Sequence, residues 1–182
     1  MNNICQKPYE MIKDYITGKE IPNIGAEENR QAVLRFLVDK KKYLLSDFIL
    51  NADINLKIGS DLYKSQIDIL LRIDDQSVMV IKCAAGSLGS REREALSAAR
   101  LLEKKQIPLS VVSDGNNALI RDVLTGKKIA EGLDKIPSRD EANKLLEHYK
   151  PEPMPEDKIE REKLIFRTYD SMNVNVQRNV QA

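Results

Sequence analysis

The chain has 182 residues, 42% hydrophobic and 31% charged, a composition that excludes collagen-like, disordered and disulfide-scaffold classes. Lys and Arg number 29 against 28 Asp and Glu, a net charge of +1, so any basic surface must come from local clustering. No apolar run reaches the ~18–20 residues of a membrane helix, Met1 to Tyr15 is too polar for a signal peptide, and two cysteines, Cys5 and Cys83, make no disulfide framework; a cytoplasmic protein with no membrane contact is expected.

Residues 1–25 form an N-terminal extension punctuated by Pro8, Gly18, Pro22 and Gly25, with a short helix expected near Tyr9–Tyr15. From Ala26 to Asp39 the apolar spacing of Val33, Leu34 and Leu37 predicts a helix. Glu27 and Glu28 suit its positive N-terminal end, and Lys40 to Lys42 its last turn. Phe48–Ile58, Leu62–Ile73 and Ser77–Ala85 follow as strand-like runs, the last two separated by the turn signal Asp74-Asp75-Gln76. Val78-Met79-Val80-Ile81 is apolar throughout, as in a central strand buried on both faces.

A loop, Gly86 to Ser90, leads into a predicted helix from Arg91 to Lys105. Strands are expected at Pro108–Val112 and Ala118–Leu124, and a helix at Glu141–Tyr149. Pro151, Pro153 and Pro155 mark a boundary, after which residues 151–182 are expected to be a helical or mobile tail, suited to an oligomerisation arm. Strand–helix–strand from Ser77 to Val112 implies a right-handed parallel crossover. The predicted fold of residues 26–150 is therefore α/β: an antiparallel meander plus one parallel crossover, with helices on both faces of a mixed sheet.

Chemistry is narrowed by a single histidine, His148, and no tryptophan. Histidine-rich metal sites and Ser-His-Asp or Cys-His nucleophiles drop out, leaving carboxylates, lysines and a metal. Two charges stand in apolar runs where they are costly: Asp68 within Gln66-Ile67-Asp68-Ile69-Leu70, and Lys82 within Val80-Ile81-Lys82-Cys83. The hairpin between them sets both near one end of the strand pair. They read either as a buried ion pair or as a cation site in which Asp68 holds Mg²⁺ and Lys82 orients or activates a water. Arg91, Arg93 and the pair Lys104-Lys105 are candidates for tracking a nucleic-acid backbone, although Glu92, Glu94 and Glu103 interleave with them.

An Asp in one strand, a short turn and a Lys deep in the next resemble the PD-(D/E)xK nuclease core. The chain resembles more closely the N-terminal domain of type I restriction enzyme R subunits. Glu27-Glu28-Asn29-Arg30-Gln31 is similar to that family's acidic first helix, Ser65 to Leu70 to its metal-ligand strand, and Glu94 to Ala99 to its following helix. The resemblance implies a restriction-endonuclease-like domain acting on nucleic acid, DNA first, with Mg²⁺ or Mn²⁺. It also implies a separate motor or specificity subunit, or a homodimer, as partner. Val80 stands where the family's triplet has an acid. The helical wheel does not choose between Glu92 and Glu94 as a migrated replacement; alignment with the family's helix ranks Glu94 first. The implied site is then Asp68 and Glu94 on the metal, Lys82 on the water, and Glu28 or Glu27 assisting. The alternative is an inactive nuclease-fold module for nucleic-acid binding or protein assembly, which Val80 favours.

Overall fold

The computed structural model describes residues 10–172; Cys5 and the polar end of the chain after Met172 lie outside the described residues. The chain enters as a two-stranded antiparallel ribbon, β1 (Met11–Lys13) and β2 (Glu20–Pro22), and not as the short helix expected near Tyr9–Tyr15. Asp14 explains the difference. Its Oδ1 accepts the backbone N–H groups of Ile16 and Thr17, and Gly18 turns through φ +70°. Such local side-chain bonds compete with a helix and favour a turn.

Helix α1 (Glu27–Asp39) buries Val33, Leu34 and Leu37 completely. It stops at Asp39, so Lys40 to Lys42 follow the helix and do not occupy its last turn. The main sheet then runs in chain order: β3 (Phe48–Ile58), β4 (Asp61–Ile73), β5 (Gln76–Cys83), β6 (Leu109–Ser113), β7 (Ala118–Asp122) and β8 (Lys128–Glu131). Among the described residues only β5 and β6 pair in parallel, joined by the crossover helix α2 (Glu92–Leu101). Two helices close the fold, α3 (Arg139–His148) and α4 (Glu156–Ser171). The short edge strand β8 carries exposed or half-exposed residues and lacks the apolar alternation that announces a strand.

The sheet has a core on each face. Val33 and Leu34 of α1 and Ala142 of α3 pack with Ile69, Leu71, Met79, Ile81 and Val111. Ala98 and Ala99 of α2 and Phe166 of α4 pack with Ile54, Ile67, Leu70 and Val80. The expected mixed sheet flanked on both faces is therefore observed. Of the two expectations for the C-terminal tail the helical one is observed, and α4 packs against α2. Phe166 is fully buried, and Glu162 accepts hydrogen bonds from Ser97 and Arg100 of α2. An aromatic and an acid one helical turn apart face α2 together, which fixes α4 against the sheet.

One irregularity in the sheet sets which face Asp68 and Lys82 share. The β4–β5 hairpin turns through Asp74 and Asp75, both at positive φ, the geometry of a two-residue hairpin turn. Pairing begins Ile73↔Gln76 and Arg72↔Ser77, then shifts by one residue between Leu71 and Arg72 to give Leu71↔Met79, Leu70↔Val80 and Ile69↔Ile81. Continued one step, this register sets Asp68 opposite Lys82. Without the shift Asp68 faces Ile81, and Lys82 points to the other side of the sheet.

Candidate functional site: a carboxylate–lysine–carboxylate cluster

Lys82 leaves β5 on the face covered by α2, and its ammonium lies between two acids. Its Nζ is 3.4 Å from Asp68 Oδ1 and 2.9 Å from Glu94 Oε1. The second Asp68 oxygen, Oδ2, accepts the backbone N–H of Cys83 at 2.6 Å. Glu94 is fully buried, and its Oε2 is 3.5 Å from Arg91 Nη1 at the N-cap of α2. Arg91 Nη1 also reaches the Tyr169 carbonyl of α4, at 3.5 Å. Side-chain exposure falls from 25% at Arg91 and 23% at Asp68, through 12% at Lys82, to none at Glu94. The cluster is thus open at its Asp68–Arg91 side and closed behind.

The electrostatics follow from this placement. Burial alone pushes the Lys82 pKa down, but Asp68, Glu94 and more weakly Asp170 of α4 reverse it and hold the ammonium above its ordinary value. Lys82 is therefore charged at neutral pH and serves as a hydrogen-bond donor, not a base. Burial, with Asp68 adding to it, raises the Cys83 thiol well above its ordinary range. That leaves Cys83 as a small core residue and no nucleophile.

The helical wheel left Glu92 and Glu94 equivalent; the path of the chain separates them. A 3₁₀ turn over Leu88–Ser90 delays the start of α2 to Glu92. Glu94 then faces the sheet, while Glu92 Oε2 pairs with Arg121 Nε of β7 at 2.6 Å. The two acids of α1 are separated in the same way. Glu28 is exposed and is not brought to the cluster. Glu27, a residue earlier and ~100° round the helix, turns inward. Its Oε1 accepts from Arg30 Nε and Gln31 Nε2. Sequence reasoning passed over Arg30 and Gln31, which are buried along with Asp14; two polar residues inside the apolar stripe of α1 are the signal that marks them. Asn29 Nδ2 donates to the Ala84 carbonyl at 2.7 Å and pins α1 to the end of β5.

Of the four basic residues proposed for nucleic acid, Arg91 joins the cluster and Arg93 is exposed beside it. Lys104 and Lys105 are exposed beyond the far end of the ten-residue helix α2, about 15 Å away along its axis. Arg93 also edges a cleft of about 700 Å³ whose walls include Arg121, Lys158 and Arg161. That cleft lies on the other flank of α2, and Asp68, Lys82 and Glu94 do not line it. Among the described residues no helix is long and apolar enough to cross a membrane.

A six-stranded mixed sheet, one parallel crossover, and a carboxylate–lysine–carboxylate cluster where the crossover begins define an α/β domain with its charged site at the end of a central strand. The family described as Type I restriction enzyme R protein N terminus matches residues 25–137, and the chain belongs to that family. The match runs from just before α1 to just after β8, and so contains the whole cluster while stopping short of α3 and α4. No curated protein and no solved structure matches the chain significantly.

Proposed function

We propose that this domain is a divalent-metal-dependent phosphodiesterase acting on nucleic acid, DNA first, with Asp68 and Glu94 as the metal carboxylates. The observation that carries the reading is the convergence of Glu94 from α2 and Asp68 from β4 on one point, the Lys82 ammonium. Among the described residues no group of three or more His, Cys, Asp or Glu forms a ready-made cage. Mg²⁺ does not need one: it commonly uses one or two carboxylates and fills its octahedron with water and substrate phosphate. Asp68 at the open side and Glu94 behind it supply two such hard oxygen donors.

When bound, such an ion supplies Lewis-acid polarisation of a phosphate oxygen and a more acidic water. The chain's own residues do the rest. Lys82, kept protonated, donates to a phosphate oxygen or orients the attacking water. Arg91, held by two long contacts and partly exposed, is placed to meet a phosphate at the open side. Membership of a restriction-enzyme family supports nucleic acid as substrate and a motor or specificity subunit as partner.

A second reading has its own observation. Val80, at the family's acidic position, is fully buried in the α2–α4 core, and Lys82 and Arg91 already neutralise Asp68 and Glu94. On that reading the cluster is a closed structural network in an inactive nucleic-acid-binding or assembly module. Calorimetric titration with Mn²⁺ and Mg²⁺, with plasmid nicking alongside, separates the two. The phosphodiesterase reading expects metal-dependent nicking, and weaker metal binding in Glu94→Gln, with a melting temperature lowered only in part because Lys82 keeps Asp68. A folded wild-type protein that binds neither ion and nicks no plasmid selects the second reading.

A further inference from the structure

The β3–β4 ladder has one gap. Leu50 pairs with Ile69 and Ala52 with Ile67, but Asn51, whose register partner is Asp68, makes no pair. Asn51 takes φ +53° in the middle of an eleven-residue strand, a left-handed conformation rare outside Gly, Asn and Asp. The consequence shows in the packing. Residues two apart on a strand should share a face, yet Leu50 and Ile69 pack against the α1 core while Ala52 and Ile67 belong to the α2–α4 core. The hairpin therefore swings between the two cores at Asn51 and Asp68.

This swing is held from outside the hairpin. Arg30 Nη1 donates to Asn51 Oδ1 at 3.0 Å. The same guanidinium donates through Nε to Glu27 at 2.8 Å and lies 3.5 Å from Asp14, which also accepts from Gln31. Arg30 is 7% exposed and Asp14 2%, so a buried network anchored on α1 and the β1–β2 ribbon grips one side chain at the gap. Backbone strain of this kind persists only where the surroundings impose it.

We infer that Asn51 is a positioning residue for Asp68: clamped by Arg30, it keeps the β3–β4 ladder open at that point. The Asp68 carboxylate is thereby presented to the Cys83 N–H and to Lys82. The functional weight of this inference rests on the phosphodiesterase reading; its structural content does not. Asn51→Val forces the position toward ordinary strand geometry, because a β-branched residue resists positive φ. Asn51→Gly keeps the left-handed backbone and loses only the Oδ1 contact.

The amide of Cys83 gives a direct readout, since it donates to Asp68 Oδ2 at 2.6 Å and a short bond to a carboxylate moves its proton strongly downfield. The next amide on the chain, Ala84, donates to the Ser113 carbonyl at 2.8 Å and serves as the internal control. In ¹H–¹⁵N spectra of the full chain, Asn51→Val should shift the Cys83 amide upfield while Ala84 stays in place, and Asn51→Gly, which keeps the left-handed backbone but loses the Arg30 contact, should shift Cys83 in the same direction by less. If Asn51→Val does not fold, Asn51→Ala carries the test: Cys83 should shift upfield, and Arg30→Gln combined with Asn51→Ala should add no further shift, because the Oδ1 contact is already gone. Mn²⁺ affinity should fall about 10–100-fold in the variant whose Cys83 amide moves most, the usual loss when a supporting partner of a metal ligand is removed. An unmoved Cys83 amide in a folded Asn51→Val or Asn51→Ala protein overturns the inference. Absence of Mn²⁺ binding by wild type, with the amide shift present, overturns the phosphodiesterase reading and leaves the positioning of Asp68 standing.

Discussion

Replacing Lys82 with methionine removes the charge at the centre of the cluster while roughly conserving volume. Deleting one partner of a fully buried ion pair costs ~3–5 kcal/mol, because the other charge is left uncompensated. Glu94 meets the condition of full burial, but Arg91 still stands 3.5 Å from it. Asp68 is partly wet and keeps the Cys83 N–H. Those two reliefs bring the expected loss at pH 7 to roughly 2–4 kcal/mol. For a chain of this length that lowers the melting temperature by about 5–15 °C.

The pH dependence carries a definite sign. In the variant the buried Glu94 carboxylate has lost its nearest cation, and low pH relieves an uncompensated buried carboxylate. The deficit relative to wild type should then be largest at neutral pH and shrink as pH falls toward 4. In wild type the raised Lys82 pKa contributes stability that is fully present below the ordinary lysine value of ~10.4 and is lost as pH rises above it. Thermal melts of wild type, Lys82→Met, Glu94→Gln and the double variant, taken from pH 4 to 8, test this. The double variant should be more stable than Lys82→Met, since it no longer buries an unpaired carboxylate. A Lys82→Met protein within ~0.5 kcal/mol of wild type at pH 7, or one with an equal deficit at pH 4 and pH 8, refutes the electrostatic account. A folded Lys82→Met protein that nicks plasmid at the wild-type rate removes Lys82 from the chemistry.

Phe166→Ala should cost ~3–5 kcal/mol in thermal or denaturant unfolding, because Phe166 is fully buried between α4 and the sheet; a detached tail predicts no change. Nucleic-acid affinity should follow roughly 3–5 phosphate contacts, a slope of log K against log salt near −0.9 per contact on duplex DNA. Arg93→Ala should reduce that slope by about 0.9, whereas changing Lys104 and Lys105 to alanine, at the far end of α2, should leave it unaltered. Salt-indifferent binding, or a slope carried by the lysine pair, contradicts this assignment.

Most of the fold is legible because burial imposes a period. The stripe of α1, the alternation of β3, the apolar Val78–Ile81 run of β5 and the Asp74-Asp75 turn lie within a residue or two of their predicted positions. What escapes is what has no period. The β1–β2 ribbon depends on one Asp side chain, β8 is a short exposed edge, and α4 shows its single aromatic anchor only once folded. The site divides in the same way. Asp68 and Lys82 are visible because charges are expensive inside apolar strands. That they share a face is decided by the one-residue shift at Leu71 and Arg72, and no side-chain pattern encodes that shift. Glu94 over Glu92 depends on where α2 begins, and Glu27 over Glu28 on the same kind of small rotation; helix boundaries are the least readable feature of any sequence.

Val80 lies two residues before Lys82 on the same face of β5, fully buried and packed with Leu70, Ala98 and Ala99. The position where the resemblance to the nuclease triplet leads one to expect an acid is part of the core here, and the helix acid that approaches Lys82 rides on α2. Its placement then depends on how α2 is docked, which the Ser97–Glu162–Arg100 bonds to α4 help to fix. Restoring the acid with Val80→Glu should not restore a better site. It forces a larger, charged side chain among alanines and leucines, overpacking that costs ~1–3 kcal/mol and leaving the new carboxylate to compete with Glu94 for one lysine. The expected result is a lower melting temperature, most severe at neutral pH and milder toward pH 4, with Mn²⁺ affinity no higher than wild type. A Val80→Glu protein that keeps its stability and binds Mn²⁺ more tightly would show that the strand position is the natural ligand site, and that Glu94 is only the counter-ion of Lys82.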